Sequence, residues 1–246
     1  LNQLPDESAA PSSPSPEVPE RGPLRTYTVV RETWLTKKPK PESATVAILA
    51  TGILALATML EWAGFFHTDT LFPASYAEVF THHEIWRAWT TMLVHSDIAH
   101  LASNSLLFFF LSYFLYGYFG ISLFPIGVFV FGGFANLAVL PTYEPETVLI
   151  GASGAVYVMG GAWLILYFFL SRQKNLWQRY LRSFGVGLAL FMPSQAFDPA
   201  ISNRTHLTGF VLGVVLGLGY YLLHRTSFLA SEVREVIVEE EDDLHD

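Results

Sequence analysis

Apolar runs close to 20 residues long, separated by short polar stretches, dominate the chain from residue 43 onward. The first covers about 43–64, SATVAILATGILALATMLEWAG, and others follow at about 98–119, 121–140, 152–171, 182–197 and 205–223. That length of helix crosses roughly 30 Å of hydrocarbon. A soluble domain can bury one such block, but hiding six would leave too few polar positions for a surface. The pattern predicts an all-α membrane domain of six spans at residues 41–226. So few residues join the second and third spans that the two must form an antiparallel hairpin. The fifth is short and ends in MPSQAFDP, an early exit. Residues 65–94 are too polar to cross yet carry Phe65, Phe66, Phe72, Tyr76, Phe80, Trp86 and Trp89. This mixture predicts an interfacial first outer loop lying partly among the headgroups.

Charge orients the bundle. The formal net charge of the chain is −8. Residues 227–246 alone carry net −7, so the acidity belongs largely to a terminal run and says little about the core. Six spans put both termini on one side. With the N-terminus inside, Lys37, Lys38, Lys40, Arg172, Lys174, Arg179, Arg182 and Arg225 are cytoplasmic. The outer segments then hold only Arg87 and Arg204 among several carboxylates, as the positive-inside rule requires. Residues 1–40 form a cytoplasmic segment rich in Pro, Ser and Glu that is expected to be largely disordered. Within it TYTVV at 26–30 is a candidate short strand or anchor. No signal peptide is expected ahead of the first run. Residues 227–246 are expected to be an acidic cytoplasmic tail, a solvated end or a contact for a cytoplasmic partner. Cysteine is absent, which removes disulfides, thiol catalysis and Cys-based metal sites. No basic or aromatic pattern suggests a nucleic-acid surface.

Candidate chemistry lies in polar groups that an apolar helix has no reason to keep. The second span opens HSDIAHLASN, with His95, His100 and Asn104; the fourth opens at GASGAVY, with Ser153 and Tyr157. The sixth opens NRTHLTGFVLG, with His206 just inside. His100 and Asn104, four apart, share a helical face, as do Ser153 and Tyr157. Topology brings the three clusters to one depth on the outer side, and intramembrane polar groups default to function. A nucleophilic serine needs a base and donors for an oxyanion. His206 is the candidate base for Ser153, and Tyr157 would pack on its ring. His100, Asn104 and the Ser153 N–H are the candidate oxyanion donors. No Asp or Glu lies deep in a span near these groups, so a Ser-His dyad is expected rather than a triad. Gly209, Gly213 and Gly217 recur every four residues opposite Gly154, Gly160 and Gly161, small faces that let helices approach closely. Gly151 would keep the approach to Ser153 open, and His95 is expected to support or cap the loop.

With those residues in place, the chain resembles the rhomboid family of intramembrane serine proteases over roughly residues 43–224. IWRAW at 85–89 resembles the family's Trp-Arg element. HSDIAHLASN matches its H-x4-H-x3-N element, GASG its GxSG nucleophile motif, and HLTG with Gly213 its histidine helix. The resemblance implies Ser153 as nucleophile, His206 as general base, and His100 and Asn104 at the oxyanion. Tyr157 would support the base, while Trp86 and Arg87 would stabilise the outer loop. It implies a six-span rhomboid-like helix bundle and single-span membrane proteins as substrates, entering laterally near the fifth span. It also implies a serine endopeptidase needing no metal or organic cofactor, in a bacterial plasma membrane with both termini cytoplasmic. Two positions depart from the family: Tyr116 stands near an expected acidic residue, and Thr205 precedes His206 where alanine is common. The rival readings are a catalytically silent rhomboid-like protein that binds membrane clients, and a small transporter or channel. The first predicts loss of a dyad residue, and both are present. The second predicts polar positions continuing to the inner side, where FFF at 108–110 and VLGVVLGLG at 211–219 stand instead.

Overall fold

The computed structural model describes residues 24–185, 187 and 203–240. Among the described residues, five helical stretches are long and apolar enough to cross a membrane: Ser43–Trp62, Ile98–Phe119, Ser122–Thr142, Ser153–Leu170 and Asn203–Ala230. They are called α1 (Ser43–Trp62), α2 (Ile98–Phe119), α3 (Val128–Val139, the regular part of its stretch), α4 (Ser153–Leu170) and α5 (Asn203–Ala230). The chain is thus a multi-pass membrane protein built as a helix bundle. Most of the fifth expected run, 182–197, lies outside the described residues.

Two compact units make up the chain, one joining its two ends and the other spanning Val30–Arg234. In the first, the β-strands Leu24–Glu32 (β1) and Val233–Glu240 (β2) pair in a two-stranded sheet, and Tyr27 Oη donates to Glu239 at 2.5 Å. A strand therefore occupies part of each flank read from sequence as disordered or solvated. The alternation of Val and Ile with charged residues in VREVIVEE suits one.

α2 shows why these helices begin and stop where they do. Asp97 caps its start, accepting from the His100 N–H at 2.9 Å. Its last carbonyls, which lipid cannot satisfy, all find donors. Tyr116 O accepts from Gly120 N, and Gly117 O from Lys40 N at 3.0 Å. Tyr118 O accepts from Trp34 Nε1 at 2.8 Å, and Phe119 O from Tyr220 Oη at 2.7 Å. Lys40 Nζ sits over the Tyr116 ring, 5.6 Å from its centroid, so a cation–π contact packs this end where a carboxylate is expected near Tyr116.

α5 has 28 residues, about 42 Å of helix against a core of roughly 30 Å. It runs on past the expected end at 223 because Phe228, 3% exposed, is held among Trp34, Phe119, Tyr220 and Tyr221. α4 and α5 lie together along their small residues. A Cβ on Gly209 would stand 2.5 Å from Gly154 O, one on Gly213 2.1 Å from Val158 O, and one on Gly217 2.7 Å from Ala162 O. The three contacts ascend both helices in the same sense, so α4 and α5 are parallel and the chain between them must return from one end of the pair to the other.

Candidate active site

Ser153 is the first residue of α4 and is half-buried. The chain enters it through a segment stitched to residues 74–95. Ala74 and Leu149 exchange both backbone hydrogen bonds, at 3.2 and 2.7 Å. The Thr91 hydroxyl also donates to Leu149 O. Gly151 N donates to Thr91 O at 3.0 Å, and Ala152 N donates to His95 Nε2 at 3.1 Å. These bonds occupy the backbone up to Ser153 and stop there. The Ser153 N–H, an orphan donor at a helix N-terminus, has no partner among the described residues.

His95 fixes this entry from below. It is fully buried. Because Nε2 accepts from Ala152, the proton belongs on Nδ1, which then donates to Thr58 Oγ1 at 3.1 Å. Thr58 in turn donates to Leu54 O at 3.0 Å, and Trp62 Nε1 binds His95 O at 2.7 Å. Burial, reinforced by the neighbouring His100 and opposed by Asp97, holds the His95 pKa down at about 4 against an ordinary 6.5. The ring is therefore neutral at pH 7, as the bond from Ala152 requires.

Above Ser153, Gly151 has φ +118°, a backbone conformation glycine tolerates and L side chains rarely adopt. A Cβ there would also stand 2.7 Å from His100 Nε2 and 3.7 Å from Asn104 Nδ2, so both side chains from α2 converge on the approach to Ser153. Asn104 is buried, and its Nδ2 has no hydrogen-bond partner among the described residues. His100 Nδ1 lies 3.1 Å from Ser96 Oγ, leaving Nε2 on the Gly151 side. Across α4, the Tyr157 ring stacks on His206 with centroids 4.2 Å apart and planes 9° from parallel. Tyr157 lies one turn along the face that carries Ser153, and the seam at Gly154 and Gly209 brings α5 against that face. Thr205 is buried, with its Cγ2 3.0 Å from where a Gly154 Cβ would be.

Arg87 organises residues 65–94. At 5% exposure it donates from Nε to Glu84 Oε2 at 2.5 Å and from its terminal amine to Thr70 O and Pro73 O at 2.5 and 3.1 Å. Glu78 stands 3.5 Å away. Trp86 beside it is half exposed. Three polar residues that sequence reasoning passed over support the same region: Thr58, Thr91 and Asn136. Asn136 Nδ2 donates to Ala88 O at 2.8 Å, and its Oδ1 lies 3.5 Å from where a Gly154 Cβ would be. The signal for Asn136 was its place within an apolar span; nothing local distinguishes Thr58 or Thr91.

The assembly holds a half-buried serine at a helix start, an aromatic-stacked histidine on the neighbouring helix, and two uncommitted N–H donors. The rhomboid domain family matches residues 82–223. "RHOMBOID-like protein 1" of Arabidopsis thaliana is 26% identical over 145 residues, 57% of this chain and 36% of that protein. "Putative rhomboid protease YdcA" of Bacillus subtilis (strain 168) is 27% identical over 133 residues, 54% of this chain and 66% of that protein. The alignments thus cover about a third and about two thirds of those relatives' lengths. The match runs from the segment before α2 through the glycine seam of α5, and on it the chain belongs to the rhomboid family.

Proposed function

We propose that the protein is an intramembrane serine endopeptidase that cuts single-span membrane proteins in or near their helices by a Ser153–His206 dyad. The observation that carries this reading is the stacked Tyr157–His206 pair one helical turn from Ser153. That stacking restrains the His206 ring beside Tyr157, which shares a helical face with Ser153.

In the first half-reaction Ser153 Oγ attacks the scissile carbonyl carbon while His206 takes its proton. Charge gathers on the carbonyl oxygen. The Ser153 N–H and Asn104 Nδ2 donate to it, two groups without another partner among the described residues, and His100 completes the set. Collapse of the intermediate breaks the C–N bond, and His206 returns its proton to the leaving amine. Water, deprotonated by His206, then attacks the acyl-enzyme carbonyl and releases the second product with Ser153 restored. Water must reach the dyad through an opening at the α4 N-terminus, because hydrocarbon cannot supply it.

Six spans with both termini in the cytoplasm of a bacterial plasma membrane fit this reading. The parallel α4–α5 pair calls for a return crossing, and in the sequence the basic residues fall in the segments that six spans would put on one side. Neither metal nor organic cofactor enters the scheme. A client-binding protein without catalysis is the outcome against it. The test reconstitutes the full chain in liposomes with a model single-span substrate. Cleavage abolished by Ser153→Ala and by His206→Ala is the expected result; cleavage unchanged by Ser153→Ala would overturn the mechanism.

A further inference from the structure

Behind α4, on the side away from Ser153, lies a concave feature that the proposed chemistry does not use. A cavity of about 320 Å³ opens between α1 and the start of α3. Ala152 and Ala155 form its far wall. At about 100° per residue, Ala155 faces some 200° around α4 from Ser153, so this hollow and the candidate active site occupy opposite sides of one helix. The α1 wall runs from Val46 through Ala50 to Leu54, about 12 Å along the helix, and Phe108 and Phe124 form the floor. Every lining side chain is apolar. Leu49, Ile53 and Phe129 at the rim are exposed, so the groove opens sideways.

We propose that this groove is an acyl-chain site, taking one chain of an anionic phospholipid from the leaflet at the N-terminal end of α1. Water has no polar partner there and would not stay, while an empty hollow forfeits dispersion contacts along all of its walls. Ser43–Trp62 is membrane-length, so the groove lies at hydrocarbon depth and its surroundings are lipid tails. Charge at one end selects the occupant. Lys40 stands three residues before α1, with its Nζ against the Gly120 backbone, 2.7 Å from where a Cβ would be. Gly120 leads directly into Phe124 and Pro125 at the end of the groove. Lys40 is exposed, and its amine, resting over the Tyr116 ring, forms no ion pair among the described residues. A headgroup phosphate on Lys40 places the chain below it along the Val46–Leu54 face. This inference stands whether or not Ser153 is a nucleophile.

The full chain in vesicles of phosphatidylethanolamine and phosphatidylglycerol, with a trace of phosphatidylglycerol bearing a diazirine midway along one chain, tests it by illumination and peptide mapping. Label should concentrate on 46–54 and 124–129. Ala50→Phe, which fills the groove, should lower that labelling at least about fivefold, and Ile48→Phe, on the exposed side of α1, should leave it unchanged. Lys40→Gln should remove the preference for this probe over a phosphatidylcholine probe with the same chain. Label spread evenly over the exposed positions of α1, or insensitive to Ala50→Phe, would overturn the proposal. So would a second copy of the chain or a co-purified helix cross-linked into the groove. Where Ala50→Phe does not fold, the label map of the native chain and the Lys40→Gln comparison decide.

Discussion

Acid should loosen the entry to α4 through one imidazole. His95 Nε2 must be unprotonated to accept from the Ala152 N–H, and its pKa is held at about 4 in the folded chain against an ordinary 6.5. A histidine lowered by folding stabilises the native state fully above its unfolded value. That contribution is lost as pH falls from about 6.5 through about 4, where the folded ring at last takes its proton. At pH 4.5 the unfolded ring is almost wholly charged while the folded one is mostly neutral. The folded state has then lost about 2.5 kcal/mol relative to neutral pH. For a chain of this size that is roughly 5–8 °C in Tm. The assay is the thermal unfolding midpoint in detergent micelles at about pH 7.5 and about pH 4.5, for the native chain and His95→Gln. Glutamine can accept from Ala152 through Oε1 but does not titrate. Asp97 and Glu78 are held below the ordinary carboxylate range, Asp97 by the His100 N–H and Glu78 by His82. Their contributions fade on further acidification, but equally in both proteins, so they cancel. The native chain should lose the extra 5–8 °C and the variant should not. Equal losses in both would refute the role given to His95.

Other perturbations report on the remaining parts. Asn104→Ala removes a proposed oxyanion donor and should lower kcat roughly 100-fold with little change in KM, read by steady-state cleavage of the model substrate. Gly213→Leu pushes a side chain into Val158 O and should destabilise the α4–α5 pair by about 3 kcal/mol or more, seen as a lower Tm in detergent. Arg87→Met leaves Glu84 and two carbonyls without their donor. It should cost about 2–4 kcal/mol, seen as faster hydrogen exchange across residues 65–94.

Much of this architecture is readable in the chain because lipid leaves few solutions. A charge-free run of some 20 residues has little alternative to a spanning helix, and α1, α2 and α4 fall within one or two residues of their expected limits. The glycines of α5 are likewise informative, since a four-residue spacing of absent side chains specifies a packing face. Aromatic packing is harder to read: α5 extends to Ala230 because Phe228 is gripped by rings from distant parts of the chain. β2 is hidden by its own charge, whose alternation matters more than its total. The tie between His95 and Ala152 spans 57 positions, and the sequence marks the histidine without naming its partner. Thr58 carries no mark at all, for a threonine in an apolar helix usually bonds its own backbone, as this one also does.

Reactivity of Ser153 is the most direct test of the proposed function. A fluorophosphonate bearing a fluorophore, incubated with the full chain in detergent at neutral pH, reacts only with an activated hydroxyl. Labelling that maps to Ser153, disappears in Ser153→Ala and falls steeply in His206→Ala is the predicted result. A folded native chain that takes no label, or that labels equally in Ser153→Ala, would contradict the dyad.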